Sequence, residues 1–462
     1  MDHIPNEILS HILSYLLTDR EKHRLREDSI RHVLPSKNTI EDDFSSWHKV
    51  LENDCINDAV RRVAIETSPI YDYVDADRIS SWPESWPRDG HWPEFTSAIS
   101  RICDMPNLDC LDMRFSLFPA SEQLPGLINE PSSTRKRTLE IISEALRARE
   151  SRPGTSIIRE LILKNLEDTP LPKDLTDNLL QNIEKLHIAL VYGDDQREKP
   201  GFSSYLSVTL LPSVSERLVE LTIADHRWGS IPAEFDGKGL SFACLKRLTL
   251  EEYIILRQDQ FDWVLQQRSL VDLNLYSCKI ATHCLVQQPA FEDMGVNLDG
   301  WKKLPDHSTN MGQPNHSLMM AHTHPGPLDS GWYTNDLRWS DMFDRIRQNL
   351  PNLRNFNFKC SSWENYFEGH PIVLDLGMSG RYYTFDEGSW GVMWYRPVEE
   401  RPFPMEEDPF QDENMPGTPV GLYERAQLAD AHALKKLLVA TCKRGDGKQY
   451  TLVGRSTIRQ RG

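Results

Sequence analysis

Two histidines set one residue apart, in the run His322-Thr323-His324-Pro325-Gly326, are the side chains in this chain whose types and spacing best suit chemistry. On a strand, residues two apart face the same way, so the pair can share one metal ion. A downstream aspartate would complete such a site around an activated water, and the reaction it would support is hydrolysis. Asp329 and Asp336 follow the pair, and His316 precedes it. The stretch that holds them, 281–340, is rich in Pro, His and Met, unlike the compact α/β setting a hydrolytic metal site needs. Adventitious metal binding by His316, His322 and His324 is the simpler reading. No glycine-rich phosphate loop, G-x-S-x-G elbow or H-E-x-x-H helix occurs. Isolated histidines such as His187 read as strand-surface positions. The expectation is therefore a non-enzymatic chain with no catalytic residues, no structural or catalytic metal and no cofactor.

The elements that would position a working surface are clearer. A six-residue pattern, apolar-x-x-apolar-x-apolar, recurs along the chain. It runs Val60/Val63/Ile65, Leu108/Leu111/Met113, Ile158/Leu161/Leu163 and Ile183/Leu186/Ile188. It continues as Leu218/Leu221/Ile223, Leu245/Leu248/Leu250, Leu270/Leu273/Leu275 and Leu353/Phe356/Phe358. Between middle residues the steps are 48, 50, 25, 35, 27, 25 and 83. In a short parallel strand alternate side chains enter the core, and one such comb cannot bury its apolar face alone, so combs must stack. Helical periodicity precedes several of them: Leu139–Leu146, Phe261–Leu265 and Met342–Leu350. This order predicts an α/β chain built as a curved parallel sheet with helices on its convex side, over 56–396.

The outward strand positions are then the candidate contacts for a protein partner: Glu160, Lys164, Lys185, His187, Arg247, Thr249, Glu251, Asp272, Asn274, Tyr276, Asn355, Asn357 and Lys359. Around this core, 281–340 reads as an insertion. The Trp-Pro-rich 79–95 (Trp82-Pro83, Trp86-Pro87, Trp92-Pro93) reads as a loop folded over the flank or an exposed aromatic patch, since prolines at that density disfavour a helix. An acidic Pro-rich loop at 397–421 precedes a capping helix over 422–442 and a polar tail, 443–462.

At the N-terminus, apolar residues at 4, 8, 9, 12, 13 and 16 share one helical face, with Pro5 in the first turn and Glu7 where the helix dipole favours negative charge. The chain carries 69 acidic against 52 basic residues, a net charge of −17, which argues against nucleic acid as partner. Its eight cysteines form no C-x-x-C pair and read as reduced thiols. No apolar run reaches the roughly 20 residues of a membrane span, and Asp2 and His3 do not begin a signal peptide. The expected setting is cytoplasm and/or nucleus, with no membrane partner.

The string I-P-x-E-I-L-x-x-I-L-x-Y-L at residues 4–16 resembles the opening of an F-box, the helical module that docks on the Skp-family adaptor of cullin–RING ubiquitin ligases. The resemblance implies that Pro5, Ile8, Leu9, Ile12, Leu13 and Leu16 lie against the adaptor, within an all-α F-box-like segment over 1–55. The Val-Cys/Ser-x-x-Trp signature of the module's second half is absent; the region reads Leu25–Val33, Pro35, then Phe44-Ser45-Ser46-Trp47. With the combs, the whole chain resembles fungal-type F-box proteins with degenerate leucine-rich repeats. Arg381-Tyr382-Tyr383-Thr384-Phe385-Asp386 looks like a segment such proteins carry after their final repeat, expected here to close the last strand. What this implies is a substrate receptor of an SCF-type ligase. The alternatives are a leucine-rich-repeat scaffold without ligase docking, and a JAMM-type zinc isopeptidase, whose H-x-H-P the run at His322 and His324 resembles. That family needs Ser/Thr with Asp three residues on, whereas Ser330 meets Tyr333 and Thr334 meets Leu337.

Overall fold

The computed structural model describes residues 31–33, 44, 47–49, 51–67, 85–116, 119, 130–191, 200–225, 228–231, 234–286, 297–303, 331–359, 381–387, 393–397 and 419–444. They fall into two compact units, one of residues 1–167 and 171–194, the other of 168–170 and 195–462. The chain is α/β: the comb strands pair in parallel, and a second sheet mixes parallel and antiparallel pairs.

The first unit runs β1 (Arg31–Val33), α1 (Asp54–Ala59), β2 (Arg62–Glu66), α2 (Ser85–Asp89), α3 (Pro93–Ser100), β3 (Cys110–Arg114), α4 (Ser132–Glu150), β4 (Glu160–Glu167), α5 (Lys173–Leu180) and β5 (Lys185–Val191). Its strands pair in chain order, all parallel. The combs fall in register: Val63 pairs with Leu111, Leu111 with Leu161, Leu161 with Leu186, and Ile65, Met113, Leu163 and Ile188 align likewise.

The second unit continues with α6 (Pro200–Tyr205), a π turn over 206–210, α7 (Leu211–Val214), β6 (Glu220–Ala224), β7 (Arg247–Glu251), β8 (Ile254–Ile255), α8 (Asp262–Leu265), β9 (Asp272–Tyr276), β10 (Lys279–Val286), β11 (Lys302–Lys303), β12 (Gly331–Thr334), α9 (Trp339–Asn349), β13 (Asn355–Lys359), β14 (Tyr382–Glu387), β15 (Met393–Pro397) and α10 (Pro419–Arg444). Here β6, β7, β9 and β13 are parallel, with Leu221, Leu248, Leu273 and Phe356 in register. All three apolar residues of every comb are buried, none more than 7% exposed. At roughly 1.5–3 kcal/mol for each large aliphatic side chain, this burial dominates the stability of both units.

Two backbone features repeat with the combs. The carbonyl before each strand accepts two amides from the next: Arg61 O from Asp109 and Cys110, Asp109 O from Arg159 and Glu160, Arg159 O from Glu184 and Lys185. Val219, Lys246 and Val271 do the same in the second unit. The residue after the fifth strand position is left-handed at Asn165, Glu252 and Ser277, with φ of 58°, 55° and 51°. At Glu252 and Ser277 the chain turns there from one sheet into the start of another.

That other sheet has β10 at its centre, parallel to β8 and β14 and antiparallel to β12; β11 and β15 form its edges. Its core joins Ile231, Ile254, Leu256, Ala281, Cys284, Leu298, Tyr333 and Tyr383, with Trp301 packed against it. The ends of 281–340 are thus regular structure and not merely an interruption. Successive residues of β10 are buried, including Lys279, Thr282 and His283, so neither an alternating pattern nor an apolar run marks the strand. Likewise 382–387 pairs with β10, not with β13, and so does not close the last comb strand.

Within 1–55, expected to be all helical, Arg31–Val33 is instead a strand on β2. The expectation that the Trp-Pro stretch avoids helix also fails: α2 carries Pro87 in its first turn and α3 begins at Pro93, where a missing N–H costs nothing. Trp86 and Trp92 are buried with Phe44 and Phe95, ring centroids 5.3–5.8 Å apart, so they present no exposed aromatic patch. Trp82 and residues 398–418 lie outside the described residues; at the ends of the loop expected over 397–421, Pro397 instead closes β15 and α10 already begins at Pro419. Helix α10, over the expected 422–442, is tied at Asp430, which is fully buried and accepts from Arg381 Nε (2.9 Å), Tyr382 OH (2.7 Å) and Ser340 N (2.8 Å). No helix among the described residues is long and apolar enough to cross a membrane.

Candidate interaction surface

Because the second and fourth residues of each five-residue strand enter the core, the first, third and fifth must face the other way. Neighbouring strands are only about 4.8 Å apart, so these residues form rows that run across each sheet and can bond laterally.

In the second unit the first row is Glu220, Arg247, Asp272 and Asn355. Arg247 bridges Glu220 (2.7 Å) and Asp272 (3.1 Å), and Asn355 donates to Asp272. The Glu220 carboxylate, with Asp272 behind it, raises the Arg247 guanidinium above its usual range. The third-position row is uncharged: Thr222, Thr249, Asn274 and Asn357. Asn274 donates to Thr249 Oγ1 at 2.9 Å and accepts from Asn357 at 2.7 Å. The fifth row holds Ala224, Glu251, Tyr276 and Lys359. Partial burial, with the charge of Glu252 beside it, pushes the Glu251 carboxyl up.

The first unit's rows have a different character. Glu160 takes Lys185 at 3.2 Å and has His187 Nε2 at 3.9 Å. Lys164 lies 3.6 Å from Asp112, which also receives Arg62 Nη2 at 2.8 Å and Arg114 Nη2 at 3.1 Å. The Asp112 side chain has no exposed surface. Burial alone would raise its carboxyl, but the Arg114 bond, the Lys164 charge and the Arg62 bond outweigh that and hold it below 3.8. Beside it, burial and then Glu160 push the Cys110 thiol up to about 12, so it stays neutral.

The thirteen outward residues named from the sequence therefore lie on strands, Glu160, Lys164, Lys185 and His187 in the first unit and the rest in the second. Sequence reasoning missed Arg62, Asp112, Arg114, Glu220 and Thr222, which the same comb offset would have found. The adaptor-docking positions Pro5, Ile8, Leu9, Ile12, Leu13 and Leu16 lie outside the described residues, as do His316, His322, His324, Asp329 and Ser330. Asp336, in the JAMM-like stretch, is an exposed partner of Lys302. Among the described residues no group of three or more His, Cys, Asp or Glu side chains is arranged to hold a metal.

No protein-family model matches the chain, and no curated protein matches it.

Proposed function

We propose that this chain is a non-catalytic substrate receptor of an SCF-type cullin–RING ubiquitin ligase, working in the cytoplasm or nucleus. Residues 4–17 dock the Skp-family adaptor, with Pro5, Ile8, Leu9, Ile12, Leu13 and Leu16 as the buried stripe. Four such aliphatic anchors, at about 1.5–3 kcal/mol each, suffice after association costs. The combs form a leucine-rich-repeat solenoid whose outward rows hold a protein substrate. The observation that carries this reading is the conjunction of the I-P-x-E-I-L-x-x-I-L-x-Y-L string with combs in register. The recurring two-amide carbonyl before each strand supports one repeating unit. So do the left-handed residues at equivalent positions.

Co-purification with the adaptor tests the docking half. The full chain is expected to retain adaptor, and Ile8→Asp with Leu13→Asp to release it while melting at an unchanged temperature. A wild-type chain that never binds adaptor overturns the ligase reading.

A plain repeat scaffold is favoured by one observation. Trp47, in the second half of the F-box-like segment, is buried and donates to Ala98 O at 2.9 Å, serving the first unit's core. Zinc content tests the isopeptidase alternative: stoichiometric zinc in the purified protein that His324→Ala removes would favour it.

A further inference from the structure

A cleft in the second unit, separate from the strand rows, is lined by the loop after β8, residues 299–301 and the start of α9. Its volume, 540 Å³, lies within the range of ligand sites. Its inner wall is firm. Leu256 is 1% and Leu337 9% exposed. Asn335 donates to the carbonyls of Leu256 (3.2 Å) and Ala281 (2.8 Å) and accepts from Leu337 N (3.0 Å). Trp301 backs onto the sheet core and its indole N–H is fixed on Leu256 O at 3.2 Å, so the ring's orientation is set.

Around this wall aspartates outnumber cations. Asp259, Asp262 and Asp336 are each paired, with Arg257, Arg345 and Lys302 respectively. Asp299 and Asp341 line the same cleft with no cation in ion-pair range among the described residues. A cleft that holds an oriented indole, two exposed carboxylates without a cation partner and an apolar floor complements one kind of group: a flat cation on an apolar stem. An arginine side chain has that shape, since its guanidinium stacks on an aromatic face and forks to a carboxylate, while lysine offers a point charge.

We propose that this cleft is a recognition pocket for an arginine side chain of a basic peptide segment in a protein partner, with Trp301 as the stacking surface and Asp299 and Asp341 as the charge contacts. It does not depend on the ligase reading, because it holds for a scaffold equally well.

Isothermal titration of the full chain with an acetylated, amidated Gly-Gly-Arg-Gly-Gly peptide tests it, alongside the lysine and citrulline counterparts. Expected are one saturable site, weaker binding of lysine, and none of citrulline. Asp299→Asn with Asp341→Asn, and separately Trp301→Phe, should each weaken arginine binding by roughly fivefold or more. Asp174→Asn, on the exposed surface of α5, removes the same kind of charge and should change nothing. Melting curves matched to wild type keep a folding defect apart from a binding one. Absence of saturable binding, equal affinity for citrulline, or an equal loss in the Asp174→Asn control would each overturn the pocket.

Discussion

The third strand position is occupied by Asp112 on β3 in one unit and by Asn274 on β9 in the other, and the two solve the same problem differently. Both sit between neighbours about 4.8 Å away on flanking strands. Asp112 is stripped of solvent and drawn into a ring of Arg62, Arg114 and Lys164. Asn274 stays part-exposed in an uncharged chain of amides and hydroxyls from Thr249 to Asn357. Behind both, the inward residues are interchangeable aliphatics in register. The inward comb is under one demand, packing, and so repeats. The outward rows are under no common demand, and each unit has a face of its own. The first presents cations organised by one buried anion; the second presents a polar ladder whose members already hold each other in place, which lowers the ordering cost of binding.

The sharpest break of this comparison is to remove each side chain. Asp112→Ala removes the carboxylate that Arg62, Arg114 and Lys164 share at a position with no exposed surface, and should cost about 3–5 kcal/mol in urea denaturation. Asn274→Ala forfeits two partly exposed hydrogen bonds and should cost about 1 kcal/mol. Equal losses would mean that the two rows do not differ as described. The inward positions should behave oppositely: Leu161→Ala and Leu248→Ala, both at most 1% exposed, should each lose about 3 kcal/mol. A gap above roughly 1.5 kcal/mol between them would contradict the equivalence of the two cores.

How much of this was legible in the sequence follows from the same division. The combs were legible because alternation in a short parallel strand is a two-residue signal, and Leu221, Leu248 and Leu273 repeat it without interruption. The second sheet was not. Its central strand buries Lys279 against the Tyr383 ring at 4.1 Å, with Glu252 at 3.5 Å, and pairs with residues about a hundred positions away. A buried lysine inside a strand reads as surface until its partners are known. The burial of Asp112 was hidden for a related reason: its outward position follows from the comb, but an outward aspartate reads as solvated until Arg62, Arg114 and Lys164 are seen to gather on it. Helix α3 was missed because proline was treated as a breaker when it opens the first turn.

Acid sharpens the contrast with signs that differ. The Asp112 carboxyl titrates below 3.8 when folded, so its contribution is present above the unfolded value and is lost as pH falls through the folded one. Glu251 is shifted up, so its favourable contribution is present below the unfolded value near 4.5 and is lost as pH rises through the folded one. Melting temperature against pH should therefore show Asp112→Asn flattening the loss of stability below about pH 4, and Glu251→Gln flattening a loss above about pH 4.5. The same slope change from both substitutions would remove the electrostatic distinction between the two faces.

The smallest effect separates the two arginines at the first strand position, Arg62 on β2 and Arg247 on β7. Arg247 reaches carboxylates on both neighbouring strands and is 55% exposed between Glu220 and Asp272, whereas Arg62 serves a carboxylate on β3 that has no exposed surface. An ion pair in water gains little, because solvent and salt screen it and long side chains must be ordered to make it. Arg247→Gln should cost about 0.5 kcal/mol at low ionic strength and nearly nothing in about 1 M salt, where the screening length falls to about 3 Å. Arg62→Gln should cost more and hold that cost in salt, since the partner it abandons lies where ions do not reach. If added salt erased both losses alike, Asp112 would be exchanging with solvent, and its row would belong with the open ladder of the second unit.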